Sequence, residues 1–68
     1  MNLDLRQAVL QNVKGKTAQD LQQLIEKSVG GEEKALPGLG ILFEVIWQGS
    51  DPSTRQEMTS ILQQQLVQ

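Results

Sequence analysis

The chain predicts an all-α fold, a small compact bundle of about four short helices around an apolar central helix. Three observations carry that expectation. Apolar residues recur at intervals of three and four in successive segments, the spacing that lines one face of a helix. Residues that cap, start and stop helices stand between those segments. No segment alternates apolar and polar residues with the period of two that a half-buried strand requires.

The first helix is expected around Leu5, Ala8, Val9 and Val13, one stripe at helical spacing. Asn2 or Asp4 supplies an oxygen to cap its start. Lys14-Gly15 supplies its end, a cation near the negative pole of the dipole and a residue tolerant of left-handed backbone. Thr17-Ala18-Gln19-Asp20 then opens a second helix, its hydroxyl free to accept from an orphan N–H and its carboxylate placed at the positive pole. The stripe of that helix reads Leu21, Leu24, Ile25, Ser28 and Val29, and Gly30-Gly31 ends it.

Periodicity leaves the third element open, because Ile41-Leu42-Phe43-Glu44-Val45-Ile46-Trp47 fits either a buried strand or a helix apolar on most sides. Its flanks favour the helix: Pro37 suits a first turn and Gly49 an exit. A single strand would also leave its ladder groups without partners. The expectation is a buried helix, with Phe43 and Ile46 in the core and with Gly38 and Gly40 letting another helix pack close. Ser50-Asp51-Pro52 combines a capping side chain with proline at a first helical position. The last helix follows, with Met58, Ile61, Leu62 and Leu66 on one face. One domain over residues 1–68 is expected, with no repeat and no linker.

Composition excludes several classes of function. The 68 residues include neither Cys nor His, which removes disulfides, the usual zinc sites and Cys or Ser-His nucleophiles. A chain this short therefore depends on tight packing or on self-association. A basic segment followed by an apolar core is missing at the N-terminus, and the longest apolar run is broken by Glu44, too short to span a bilayer. No membrane role is expected. With net charge −2 and a pI near 4.8, nucleic acid is an unfavoured partner, since its recognition begins with a basic face. The six cations, Arg6, Lys14, Lys16, Lys27, Lys34 and Arg55, are scattered, and none has an aromatic residue as its neighbour in sequence.

No catalytic, cofactor or metal residues are expected. Glu32 and Glu33 are adjacent and diverge by about 100° on a helix, so they do not form an acid-base pair; they favour a helix N-terminus instead. Glu44, inside the apolar run, either turns outward or pairs with a basic side chain such as Arg6. Gly38-Leu39-Gly40 lacks the third glycine, the strand and the Lys-Ser/Thr of a phosphate cradle. Trp47 is read first as packing and second as an anchor for a partner. Trp47, Leu39 and Leu42 form the expected interaction surface, because the apolar run is broader than one small domain covers. The expected partner is a second copy or another, unidentified protein.

The run from Gly31 to Gln48, Gly-Glu-Glu-Lys-Ala-Leu-Pro-Gly-Leu-Gly-Ile-Leu-Phe-Glu-Val-Ile-Trp-Gln, resembles the signature block of the type I small acid-soluble spore proteins. Asn2-Leu3-Asp4-Leu5-Arg6-Gln7-Ala8-Val9 and Asn12-Val13 stand at that family's distances from the block. The likeness covers nearly the whole chain and weakens from Lys14 to Asp20 and after Gln48. It implies a minor, non-enzymatic protein of the forespore and spore core, acting in sporulation, with a structural or interaction role. It supplies no catalytic or ligand-binding residues. The alternative it brings with it is a DNA-associated protein that coats or protects spore DNA, which the acidic charge balance does not support.

Overall fold

The computed structural model describes residues 4–67. Four α-helices and one 3-10 turn follow one another, α1 Leu5–Val13, α2 Ala18–Ser28, a 3-10 turn Glu33–Ala35, α3 Leu36–Gln48 and α4 Pro52–Leu66. No strand occurs among the described residues, and the small all-α fold of four helices expected from the sequence is what is found.

Local chemistry sets each boundary. Asp4 caps α1, its carboxylate accepting from the Gln7 N–H at 3.4 Å; the other candidate cap, Asn2, lies outside the described residues. Gly15 takes φ +84°, the left-handed geometry that an L side chain rarely adopts, and the chain turns there into Thr17. The Thr17 hydroxyl accepts from the Asp20 N–H at 3.1 Å and starts α2. Gly30, at φ +74°, ends it. Val29 falls outside the helix as its C-cap and is exposed, so it leaves the expected α2 stripe. The remaining four members, Leu21, Leu24, Ile25 and Ser28, are half-buried.

The 3-10 turn was not foreseen. It carries the chain into α3 without a side-chain cap, Ala35 already being in the helical region, with Pro37 in the first turn of α3. α1, α2 and the 3-10 turn all pack on α3. Yet α3 is not a buried helix: Ile41 is its one buried residue and the only one among the described residues. Phe43 and Ile46, expected in the core, are 49% and 45% exposed. Two helices packed on a third shield only part of its circumference, and α3 is apolar around most of it. Gly38 and Gly40 are corrected as well, since among the described residues no atom beyond the neighbouring backbone of α3 lies within 4 Å of where a Cβ would stand, and no other helix approaches closely there.

The corner between α3 and α4 is densely hydrogen-bonded. The Gly49 and Ser50 N–H groups donate to the carbonyls of Val45 and Trp47 at 3.1 Å each, and the Ser50 hydroxyl donates to the Ile46 carbonyl at 2.6 Å. Asp51 caps α4, accepting from the Thr54 N–H at 2.8 Å. Arg55 Nε reaches back to the Trp47 carbonyl at 2.9 Å. Beyond that corner α4 loses cover: Met58 is half-buried, whereas Ile61, Leu62 and Leu66 are 56–68% exposed. The packing is accordingly open, with a radius of gyration of 13.5 Å against about 11 Å for an ideally close-packed chain of this length.

Candidate interaction surface

α3 presents different side chains to three shallow concavities. The first, about 530 Å³, lies against α1 and α2 and is walled by Leu10, Val13, Leu21, Ile25, Leu42, Val45 and Ile46, with Gln22 and Glu26 among its few polar members. Gln22 Nε2 donates to Glu26 Oε2 at 3.2 Å one turn along α2. The second, about 560 Å³, is bounded by Leu5, Val9, Leu24 and the start of α3, with Asn12, Lys16, Ser28 and Lys34 as its polar members. The third, about 370 Å³, is the wedge where α3 and α4 diverge, between Phe43, Trp47 and Leu62.

The residues expected to form one interaction surface are thus distributed. Leu39 and Leu42 share the second concavity, and Leu42 also reaches the first. Trp47 belongs to the wedge. Its ring sits 5.7 Å from that of Phe43 at an interplanar angle of 42°, a tilted aromatic pair at the i, i+4 spacing that one helix face provides. The Arg55 guanidinium lies 5.5 Å from the Trp47 ring centroid on the α4 side. The Phe43–Trp47 pair was readable from spacing. The Arg55 contact was not, because it depends on the angle at which α4 leaves the corner.

Electrostatics centre on one pair. Arg6 Nε and Nη2 donate to Glu44 Oε1 and Oε2 at 2.7 and 2.8 Å, a bidentate fork joining α1 to α3. Of the two fates open to Glu44, pairing with Arg6 is the one adopted. The hydrogen bonds from Arg6 hold its carboxyl below the ordinary carboxylate value, with partial burial opposing them. Glu32 meets Lys34 at 3.2 Å, both well exposed. Among the described residues no group of three or more His, Cys, Asp or Glu side chains could hold a metal ion. No helix of the described residues is long and apolar enough to cross a membrane.

Fold and surface define a small acidic helical protein with open apolar concavities. The chain belongs to the small, acid-soluble spore protein I family, whose sequence model matches residues 3–66. It is 51% identical over 67 residues to the small, acid-soluble spore protein I of Bacillus cytotoxicus, covering 97% of this chain and 96% of that one. The Bacillus cereus and Bacillus anthracis proteins of the same name are likewise 51% identical over 67 residues, with 97% of each chain covered. No solved structure matches it. It is a spore protein by family, and the expectation drawn from the Gly31–Gln48 block holds at that level.

Proposed function

We propose that this chain is a non-enzymatic structural or interaction protein of the spore core, made in the forespore. One observation carries the reading: the first and third concavities beside α3 present mainly apolar surface, and the described residues gather no group of three or more His, Cys, Asp or Glu side chains of the kind that chemistry on a substrate would draw on. The bidentate ion pair of Arg6 with Glu44 is satisfied within the chain and joins two helices. The resemblance and the relatives' name support the spore setting.

The DNA-coating alternative has one observation in its favour, Lys16 and Lys34 beside the second concavity, and the charge balance against it. Arg6 is taken up by Glu44, Arg55 turns to Trp47, and Lys34 pairs with Glu32. Arg6 and Arg55 are thereby engaged inside the chain, Lys34 only by an exposed pair, and the net charge is −2. Titration of the purified protein into labelled duplex DNA, read by anisotropy, should show no saturable binding at physiological salt. Micromolar or tighter binding that falls steeply as salt rises would replace the proposed reading with the DNA one. Capture from forespore extract, with and without nuclease, then separates protein partners from nucleic acid.

A further inference from the structure

Charge sorts the concavities beside α3. The first carries Glu26 on its wall and the third Glu44, whereas the second, bounded by α1, the end of α2 and the start of α3, carries Lys16 and Lys34 and, among the described residues, no carboxylate. In a chain of net charge −2 this is a local reversal of sign. The rest of its wall is largely aliphatic, with Leu5, Val9, Leu24, Leu39 and Leu42. Asn12 adds an amide donor, while the Ser28 hydroxyl is already committed to the Leu24 carbonyl at 2.9 Å.

Gly38 shapes the same place. It lies inside α3, where glycine weakens a helix relative to alanine, and a Cβ built on it would meet no atom within 4 Å beyond the neighbouring backbone of α3. No packing neighbour requires the glycine. What it leaves is room, since Gly38 lines the second concavity. The resulting volume, about 560 Å³, falls within the range of about 300–1,000 Å³ typical of small-molecule sites.

Such a lining selects its ligand. Two cations answer one anionic group, and an aliphatic wall answers a hydrocarbon body. A phosphodiester backbone would engage the lysines and gain nothing from the leucines. The wall from Leu5 to Val13 runs about 12 Å along α1, less than the roughly 15 Å that half a bilayer's hydrocarbon core measures. A short chain therefore fits better than a membrane lipid.

We infer that the second concavity binds a small anionic amphiphile, its head group held by Lys16 and Lys34 and its short aliphatic chain lying against Val9, Leu24 and Leu39 where Gly38 leaves space. Lys34 reaches the head group by leaving Glu32, an exposed pair at 3.2 Å that water screens. The inference rests on the lining of one concavity and is independent of the role proposed in the spore.

Octanoate titrated into the isotope-labelled full chain, followed through amide chemical shifts, is the test. Saturable shifts should cluster at Val9, Lys16, Leu24, Lys34 and Leu39 and spare the Trp47 indole, which stands in the α3–α4 wedge. Octanol, the neutral counterpart, should bind several-fold more weakly. Lys16→Gln and Lys34→Gln should each weaken octanoate by about two- to fivefold, the scale of one solvent-screened charge pair, and Glu32→Gln should strengthen it by freeing Lys34. Gly38→Leu fills the concavity and should abolish binding with helical circular dichroism retained. If that variant loses its fold, the two lysine variants, at exposed positions, still decide. Octyl phosphate run beside octanoate tells which head group is preferred, and binding of either supports the inference. Octanol binding as tightly as octanoate, shifts that map to the first concavity or the wedge, indifference to both lysine variants, or no saturation by either anion in the millimolar range would overturn it.

Discussion

Arg6 and Glu44, 38 residues apart, meet as a two-pronged ion pair that fastens α1 across α3. The pair sets the only carboxylate of the apolar run at the rim of the packed face, with side-chain exposures of 64% for Arg6 and 43% for Glu44. That geometry keeps the carboxylate hydrated while its helix packs elsewhere. Its energetic role is limited by the same exposure, since water and salt screen such pairs.

Acid should therefore weaken the pair before it unfolds the chain. Glu44's carboxyl is lowered from an ordinary value of 4.5 by Arg6, so its contribution is full above that value and is lost as pH falls through the lowered one. A double-mutant cycle of Arg6→Gln and Glu44→Gln should show favourable coupling at neutral pH. The coupling should shrink in high salt and vanish in strong acid. Coupling that persists with Glu44 protonated would contradict the ion-pair account.

Ile41 is the residue whose truncation should matter most. Ile41→Ala is expected to cost about 2–5 kcal/mol, comparable to the roughly 3–5 kcal/mol that a core of this size supplies. Phe43→Ala and Ile46→Ala, at half-exposed positions, should cost about 1 kcal/mol each in the monomer. Urea unfolding of the three variants side by side checks the order. Equal losses would mean that Phe43 and Ile46 are buried in solution.

The caps give a separate prediction. Thr17→Ala removes the acceptor for the Asp20 N–H and should destabilise α2 by about 1 kcal/mol, while Thr17→Ser should lose little. At the α4 cap, hydrogen bonds from Thr54 lower the Asp51 carboxyl below an ordinary value of 3.8. That cap's stabilisation is present above this value and lost as pH falls through the lowered one, and Asp51→Asn should remove that part of the pH dependence while leaving the part that Glu44 contributes. Helical ellipticity followed against pH in wild type and Asp51→Asn is the measurement.

Trp47 reports on the corner. Removing the guanidinium by Arg55→Ala takes away both its place over the indole and its bond to the Trp47 carbonyl. Emission of the single tryptophan should move to longer wavelength as solvent reaches the ring. An unchanged spectrum would show that Arg55 does not cover Trp47 in solution.

Much of this was legible in the chain because its determinants are local. Thr17, Asp51, Pro52, Gly15 and Gly30 act within one turn of themselves, through a single hydrogen bond or one backbone angle, so helix boundaries could be read residue by residue. The Gly31–Gln48 block carried the family in the same way, as a contiguous pattern. Periodicity told which residues of each helix are apolar. It did not tell which of them would find a neighbour, because burial depends on the angle and distance at which helices meet. Phe43 and Ile46 belong to the densest apolar run and still stand half exposed, since α1 and α2 together cover only part of α3. The Arg6–Glu44 pairing and the Arg55–Trp47 contact likewise exist only once the 3-10 turn and the α3–α4 corner have oriented the helices, and the apolar α4 stripe was left bare by that same corner rather than by any residue in the stripe itself.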